Sequence, residues 1–366
     1  MRSNFKPIGE LVTKIDERNT NGEATELIGV SIDKCFIKSV ANTIGTDLTK
    51  YKIIRKDDFA VSLMQVSRDS KIPVARLTEY DIAMMSPAYP IFRVTDKNVI
   101  LPEYLDMWFK RTEFDREAAF IAVGGVRGSM PWDEFAQMEV HVPDIEVQRK
   151  IVRDYQIIED RIALKKKIND NLSENLYTEF MREFYSSKQA TLSGDPPAGW
   201  KLLPLSEAAE FQYGKMVPES ERKDSGYPIF SGYGVTGYYH EYMFEDPHIV
   251  VLARGVSGTG EVRISPPKSY ITNLSIALTL KDNSFFAYLY EYLANDNLRS
   301  LDSGSAQSMI TIDNLGRHKV ALPPKKEAEK FNSYAKTILD MIDDNRYEMD
   351  LLDTLLKVQL TRLSSR

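Results

Sequence analysis

The residues best suited to hold a metal or attack a substrate are scattered in this chain: Cys35, His141, His240, His248 and His318. A single cysteine excludes an internal disulfide and a cysteine-cluster metal site. His240 and His248 could approach each other, but no acidic helpers stand at ligand spacing, so no metal is expected. Two other motifs bear on cofactor chemistry. "GYGVTG" (232–237) fits G-x-G-x-x-G, and read from Phe230 it fits the F-x-G-x-G of adenosylmethionine sites. A phosphate cradle needs a helix straight after its glycines, because the helix N-terminus supplies the N–H groups. Here "YYHEYMF" follows, which is aromatic and strand-like. "DPPA" (195–198) lacks the aromatic residue that stacks on an extruded base. No catalytic residue and no cofactor are therefore assigned.

A different inventory is richer. Several stretches set Arg, Lys, Gln, Asn, Ser and Tyr beside glycine: "RKDD" (55–58), "MQVSRDSK" (64–71) and "GGVRGS" (124–129) early, then "FQYGK" (211–215), "FSGYG" (230–234), "ARGVSGTGEVR" (253–263), "TNLS" (272–275) and "SGSAQS" (303–308). Such side chains bond to base edges and phosphates, and glycine lets the backbone come close. The candidate DNA contacts are Gln65, Arg68, Lys71, Arg127 and Ser129 in the first half. In the second they are Tyr213, Lys215, Tyr233, Arg254, Arg263, Gln307 and Ser308. The net charge of −6 argues against a simple basic DNA binder. A reading surface then needs a local basic groove or basic partners.

The elements that must position these loops occur twice. "GGVRGSMPWDEFAQMEVHVPDIEVQRKI" begins at Gly124, and "SGSAQSMITIDNLGRHKVALPPKKEAEK" begins at Ser303. Matching Ser129-Met130 to Ser308-Met309 gives an offset of 179; matching Val140 to Pro143 with Val320 to Pro323 gives 180, close to half of 366. Earlier segments also correspond: "PIGELVTK" with "PLSEAAEF", "YKIIRKDDF" with "HIVVLARG", "PIFRVTDK" with "SIALTLKD", and "PEYLDMWFKRT" with "FFAYLYEYLAN". Each half reads as a mixed domain of short strands and turns, followed by a long helix.

The helices carry a heptad seam with steps of four and three. In the second it runs Phe331, Ala335, Ile338, Ile342, Asn345, Met349, Leu352, Leu356, Gln359, Leu363. A shift of 180 gives Ile151, Tyr155, Ile158, Ile162, Lys165, Asn169, Leu172, Leu176, Glu179 and Glu183. Two matching seams in one chain most simply pair with each other, and polar positions such as Lys165, Asn169 and Asn345 can fix the register. The charges nearly cancel, with eight basic and nine acidic residues over 144–184 and eight of each over 325–366. Such helices read as solvated, salt-bridged rods and not as basic DNA-binding helices. The predicted organisation is α+β: domain 1–143, helix 144–185, linker 186–200, domain 201–323 and helix 324–366, with antiparallel helices and pseudo-twofold symmetry. No run of about 18 apolar residues suggests a membrane span, and "MRSNFKPIGELV" lacks a signal core, so a cytoplasmic location is expected.

With these features the chain resembles the specificity subunits of type I restriction-modification systems, above all at "SGSAQSMITIDNLGRHKVALPPKKEAE". The junction in the first half is looser, with a glycine-arginine pair where Ala306-Gln307 stand in the second. The resemblance implies no catalytic centre. It implies two target-recognition domains that read the halves of a split DNA site, and paired helices that fix the gap. The same helices would dock two methyltransferase subunits, which carry adenosylmethionine, and motor-nuclease restriction subunits can join. Two other functions stay open at the level of sequence. One is a self-contained adenosylmethionine-dependent DNA methyltransferase using "FSGYG". The other is a coiled-coil scaffold, or a DNA mimic, that does not bind DNA.

Overall fold

The computed structural model describes residues 4–39, 45–64, 66–124, 128–186, 196–223, 225–255, 258–302 and 308–363. It comprises two compact units, Met1–Leu164 with Met349–Arg366, and Lys165–Glu348. The α+β class is as expected. Among the described residues, no helix is long and apolar enough to cross a membrane.

The first unit is built on a four-stranded antiparallel sheet in the order Val12–Ile15, Ile91–Val94, Phe59–Val61, Val74–Arg76. Its strand Phe59–Val61 is wholly apolar and buried because both faces of the sheet are covered there. Successive side chains point to opposite faces. Phe59 and Val61 enter a core with Trp108, Phe109, Phe114 and Phe135. Ala60 and Ile91 face the other way, toward Ile28, Ile54, Ala83 and Met85. That second cluster draws on the hairpin Ile28–Val30 with Phe36–Lys38 and on the pair Lys52–Arg55 with Ile82–Met85.

In the second unit the sheet has the same order: Ala209–Tyr213, Ser275–Leu280, Ile249–Leu252, Val262–Ile264. Ile249, Val251, Ile276 and Leu278 enter the helix-covered core, while Val250 and Ala277 meet Phe230 and Ile271. Here the far face is covered by a different small sheet, Gly234–Tyr239, Tyr227–Ser231 and Tyr270–Ile271. The frame is shared and the cover differs.

Other paired elements recur in step. Phe5–Pro7 pairs with Glu139–His141, and Lys201–Pro204 with Lys319–Leu322. Short helices follow at Ile8–Leu11 and Leu205–Ala208, and later at Trp132–Gln137 and Ile312–Arg317. These helices touch through small residues in both units. A methyl on Gly9 would lie 3.3 Å from Ala136 Cβ, and one on Gly316 would lie 3.5 Å from Ser206 Cβ. The glycine has changed sides, but the contact always pairs it with a small partner.

Two sequence alignments need correction. The counterpart of Ile249–Leu252 is Phe59–Val61, not the segment beginning at Tyr51; Lys52–Arg55 belongs to a separate strand pair. Two apolar strands joined by the tight turn at Asp57 (φ 69°) look alike in sequence. At the junction, Met130 and Ile310 are equivalent. Both are buried, Met130 N–H donates to the Leu63 carbonyl, and Ile310 N–H donates to the Ala253 carbonyl, each at 2.9 Å. From the junction onward the repeat is therefore 180, and the shared Ser-Met pair is one residue out of register.

The long helices are Ile145–Met181, continued by a π-helical turn Arg182–Ser186, and Lys325–Arg362. Gln148 anchors the start of the first: fully buried, it accepts from Leu101 N–H and donates to the Val99 and Pro143 carbonyls. In the first unit Ile151, Tyr155, Ile158 and Ile162 pack with Leu352, Leu356, Leu360 and Leu363. In the second, Leu172, Leu176 and Phe180 pack with Phe331, Ala335, Ile338 and Ile342. Within each unit rising numbers on one helix meet falling numbers on the other, so the pairing is antiparallel. The polar seam residues satisfy one another. Lys165 Nζ donates to Asn345 Oδ1 (2.8 Å) and pairs with Glu348 (2.7 Å). Asn345 Nδ2 donates to Asn169 Oδ1 (2.8 Å), and Asn169 Nδ2 to the Ile342 carbonyl (3.2 Å). The seam changes phase at its ends. Phe180, Phe184 and Leu360 are buried, while Glu179, Glu183 and Gln359 are half-buried. The aromatic pair fills the space beside Trp200 and Tyr288, where the π-helical turn alters the helix phase.

Candidate nucleic-acid interface

In the second unit the loops singled out by sequence converge on Ser275, at the end of a central strand and fully buried. Its carbonyl accepts from Gly214 N–H (3.1 Å) and its hydroxyl from Gly232 N–H (3.0 Å). The next residue back, Leu274, accepts at its carbonyl from Ala253 and Arg254 N–H. Arg254 in turn forms a β-bridge with Met309. "FQYGK", "FSGYG", "ARGVSGTGEVR", "TNLS" and the end of "SGSAQS" thus share one rim. Gly255 has φ 155°, and a side chain there would strike the Tyr233 hydroxyl, so the close approach requires glycine.

Around this rim the candidates are in different states. Lys215, Tyr233 and Arg254 are exposed, and among the described residues the Arg254 guanidinium has no acidic partner. Arg263 is exposed but pairs with Glu261 at 3.2 Å and borders a cleft with Tyr290 and Arg346. The Tyr213 hydroxyl accepts from Ile312 N–H (3.1 Å), which fastens the start of the helix Ile312–Arg317. Ser308 donates to Asp302, and Met309 N–H donates to the same carboxylate (2.7 Å). Gln307 lies outside the described residues. "GYGVTG" runs into the hairpin strand Gly234–Tyr239 and not into a helix.

The equivalent corner of the first unit holds a cleft of about 460 Å³. Ser129 and Met130 line it together with Tyr51, Ser62, Met64, Ser86 and Tyr89. Sequence reading missed the two tyrosines and the two strand-end serines; the turn "SPAYP" (86–90) was the available signal. Arg68 stands on the helix Val66–Asp69 with its Nε and Nη2 donating to Asp69 (2.7 and 3.0 Å), which holds its pKa above the usual value. Lys71 is exposed and close enough to act on Lys34, which is buried and paired with Asp115 at 2.8 Å. Gln65 and Arg127 lie outside the described residues.

The charges of "RKDD" are engaged elsewhere in the unit. Arg55 pairs with Glu17 (2.6 Å) and Glu23 (3.1 Å), and buried Asp58 takes Arg93 in two hydrogen bonds. Asp57 joins Arg76 (2.8 Å) and Lys97 (3.0 Å), whose charges hold its carboxyl low against the opposing effect of burial. Charge density alone did not separate an internal network from an open rim. Among the described residues, no group of three or more His, Cys, Asp or Glu could hold a metal ion.

Comparison with known proteins gives this arrangement a family. The type I restriction modification DNA specificity domain matches residues 197–357. The putative type I restriction enzyme MjaX specificity subunit of Methanocaldococcus jannaschii is 23% identical over 383 residues, covering 96% of this chain and 85% of that one. Over most of its length the chain is thus similar to type I specificity subunits. A second relative, the MjaIX specificity subunit of the same organism, is 20% identical over 302 residues, 74% of this chain and 70% of its own. In fold, the chain is similar to the crystal structure of the type I restriction-modification S subunit from M. genitalium. The TM-score is 0.59 at 16% identity, over 98% of this chain and 95% of that one. The second unit's rim therefore lies within a DNA specificity domain.

Proposed function

We propose that this specificity subunit reads a split DNA site, each unit contacting one half-site through its rim, while the paired helices set the gap. The observation that carries this reading is the repeated frame: the same strand order, the same junction and the same short-helix contact support two different loop sets. In the second unit the contacts are Lys215, Tyr233 and Arg254, with Tyr213, Arg263, Gln307 and Ser308 beside them. In the first they are Ser129 and Arg127, with Gln65, Arg68 and Lys71. The chain acts without a catalytic centre or cofactor of its own. It positions two methyltransferase subunits and, for cleavage, restriction subunits, in the cytoplasm where the DNA is. Basic partners complete the groove that a chain of net charge −6 cannot supply alone.

Methylome sequencing of cells carrying the chain with its methyltransferase tests this. A split, asymmetric methylated motif that disappears with the chain is expected. A contiguous motif, or methylation independent of the chain, refutes it.

A further inference from the structure

Among the described residues, four of the most solvent-open apolar side chains stand on these two rims or on elements packed beside them. Phe120 is 81% exposed, Val123 73%, Met216 71% and Met64 62%. Apolar surface left in water is unfavourable, and exposed patches of this kind mark contact sites. In the first unit Met64 lines the cleft beside Ser129. Phe120 and Val123 belong to the helix Thr112–Ile121 and the turn Ala122–Gly124, which pack on the helix Val66–Asp69 just beyond Met64. In the second unit Met216 follows Lys215, and Leu274, also exposed, carries the carbonyl that holds Arg254 N–H. Cations stand beside these apolar groups: Lys215 and Arg254 in the second unit, and in the first the exposed Lys71 and Arg68, the latter partnered by Asp69. The core of a protein–protein contact is depleted in charge. The DNA major groove offers apolar methyl groups, the C5 methyls of thymine, next to phosphate.

Resting on the DNA-reading function above, we propose that Met64, Phe120, Val123, Met216 and Leu274 read thymine methyl groups. Part of the specificity is then shape contact and not hydrogen bonding.

The test uses the chain assembled with its methyltransferase and duplexes carrying the methylome-derived site. Deoxyuridine replaces one thymine at a time, which keeps every hydrogen-bonding edge and removes only the methyl. Under the patches each substitution should weaken binding about fourfold, the value of one buried methyl. In Phe120→Ala or Met216→Ala that loss should vanish at the thymine the side chain covers and persist at others. Both positions are exposed, so the fold tolerates alanine. Equal affinity, within about twofold, for all uracil duplexes overturns the inference and leaves the proposed function standing. Failure to prefer the unsubstituted site over scrambled DNA overturns both. If the alanine variants lose the methyltransferase and keep the uracil profile, the patch is a protein dock and the inference falls.

Discussion

The polar cluster in the helix seam allows a sharp test of what buried polarity does here. Lys165, Asn169, Asn345 and Glu348 form a connected set with contacts of 2.7–2.8 Å. Their side chains are not fully dry: Lys165 is 15% exposed and Glu348 33%. Lys165→Ala removes one charged donor from Asn345 and the cation from Glu348. A charged hydrogen bond in such a place contributes about 1.5–3 kcal/mol, and this exposure reduces the expected cost to about 1–2 kcal/mol. Asn345→Ala should cost a similar amount, because Asn169 then loses a donor. Replacing Lys165, Asn169 and Asn345 together by leucine is different. It removes the desolvation penalty along with the bonds, and the outcome should lie between neutral and about 3 kcal/mol of added stability. Urea unfolding, comparing midpoints at constant slope, measures all four proteins. A triple variant less stable than the worst single variant refutes the argument, since the cluster would then be a net source of stability. If the cluster instead fixes register, the triple variant should yield a methylated motif with mixed gap lengths.

Other substitutions report on the rims and on buried charge. Arg254→Ala should cost about 1–3 kcal/mol in DNA binding and relax one position of the motif if the guanidinium grips a base; an equal loss on all sequences makes it a phosphate contact. Deleting one heptad from each long helix should change the gap between half-sites and leave the half-sites alone, as methylome sequencing reads directly. Glu291 is buried, its carboxylate accepts a long bond from Asn295 (3.4 Å), and burial pushes its carboxyl up to about 7. The folded state then keeps a proton that the unfolded chain loses near pH 4.5, so stability falls between pH 4.5 and about 7 and is level above. Glu291→Gln should flatten that fall and stabilise the protein by on the order of 2 kcal/mol at pH 8; thermal melts across pH that match the parent remove this account.

The fold was legible wherever burial repeats with a period. The seam from Ile151 to Leu176, and from Phe331 to Leu356, reads directly from sequence because a helix maps every three or four residues onto one face. It drifts at Leu360, and at Phe180 and Phe184, where aromatic bulk and a π-helical turn outrank the heptad. Strand equivalence was harder. Lys52–Arg55 and Phe59–Val61 are adjacent, apolar and short, and only pairing partners separate them. The rim in the second unit was visible as loops, yet Ser275, which draws them together, is an unremarkable serine in sequence. "RKDD" stands out for the opposite reason: its charges are conspicuous in sequence, but Arg55, Asp57 and Asp58 are paired with Glu17, Glu23, Arg76, Lys97 and Arg93.

The two-faced sheet explains how one frame can serve two different half-sites. In each unit one face of the sheet packs on the helix-rich core, and through it on the long helices. The other face meets a cover that differs between the units, and that cover supplies rim residues: Tyr51 and Tyr89 in one, Tyr233 in the other. Substitutions in the cover change what reaches the rim without disturbing the core that seats the helices. The junction obeys the same division. Met130 and Ile310 are held to equivalent carbonyls, whereas the residues just before them differ in sequence. A chimaera that carries residues 227–239 of one specificity subunit on the frame of another should therefore keep its helix packing and its methyltransferase, and change only the half-site read by the second unit. Loss of the partner in such a chimaera would show that cover and frame are not separable, and this account of divergence would fail.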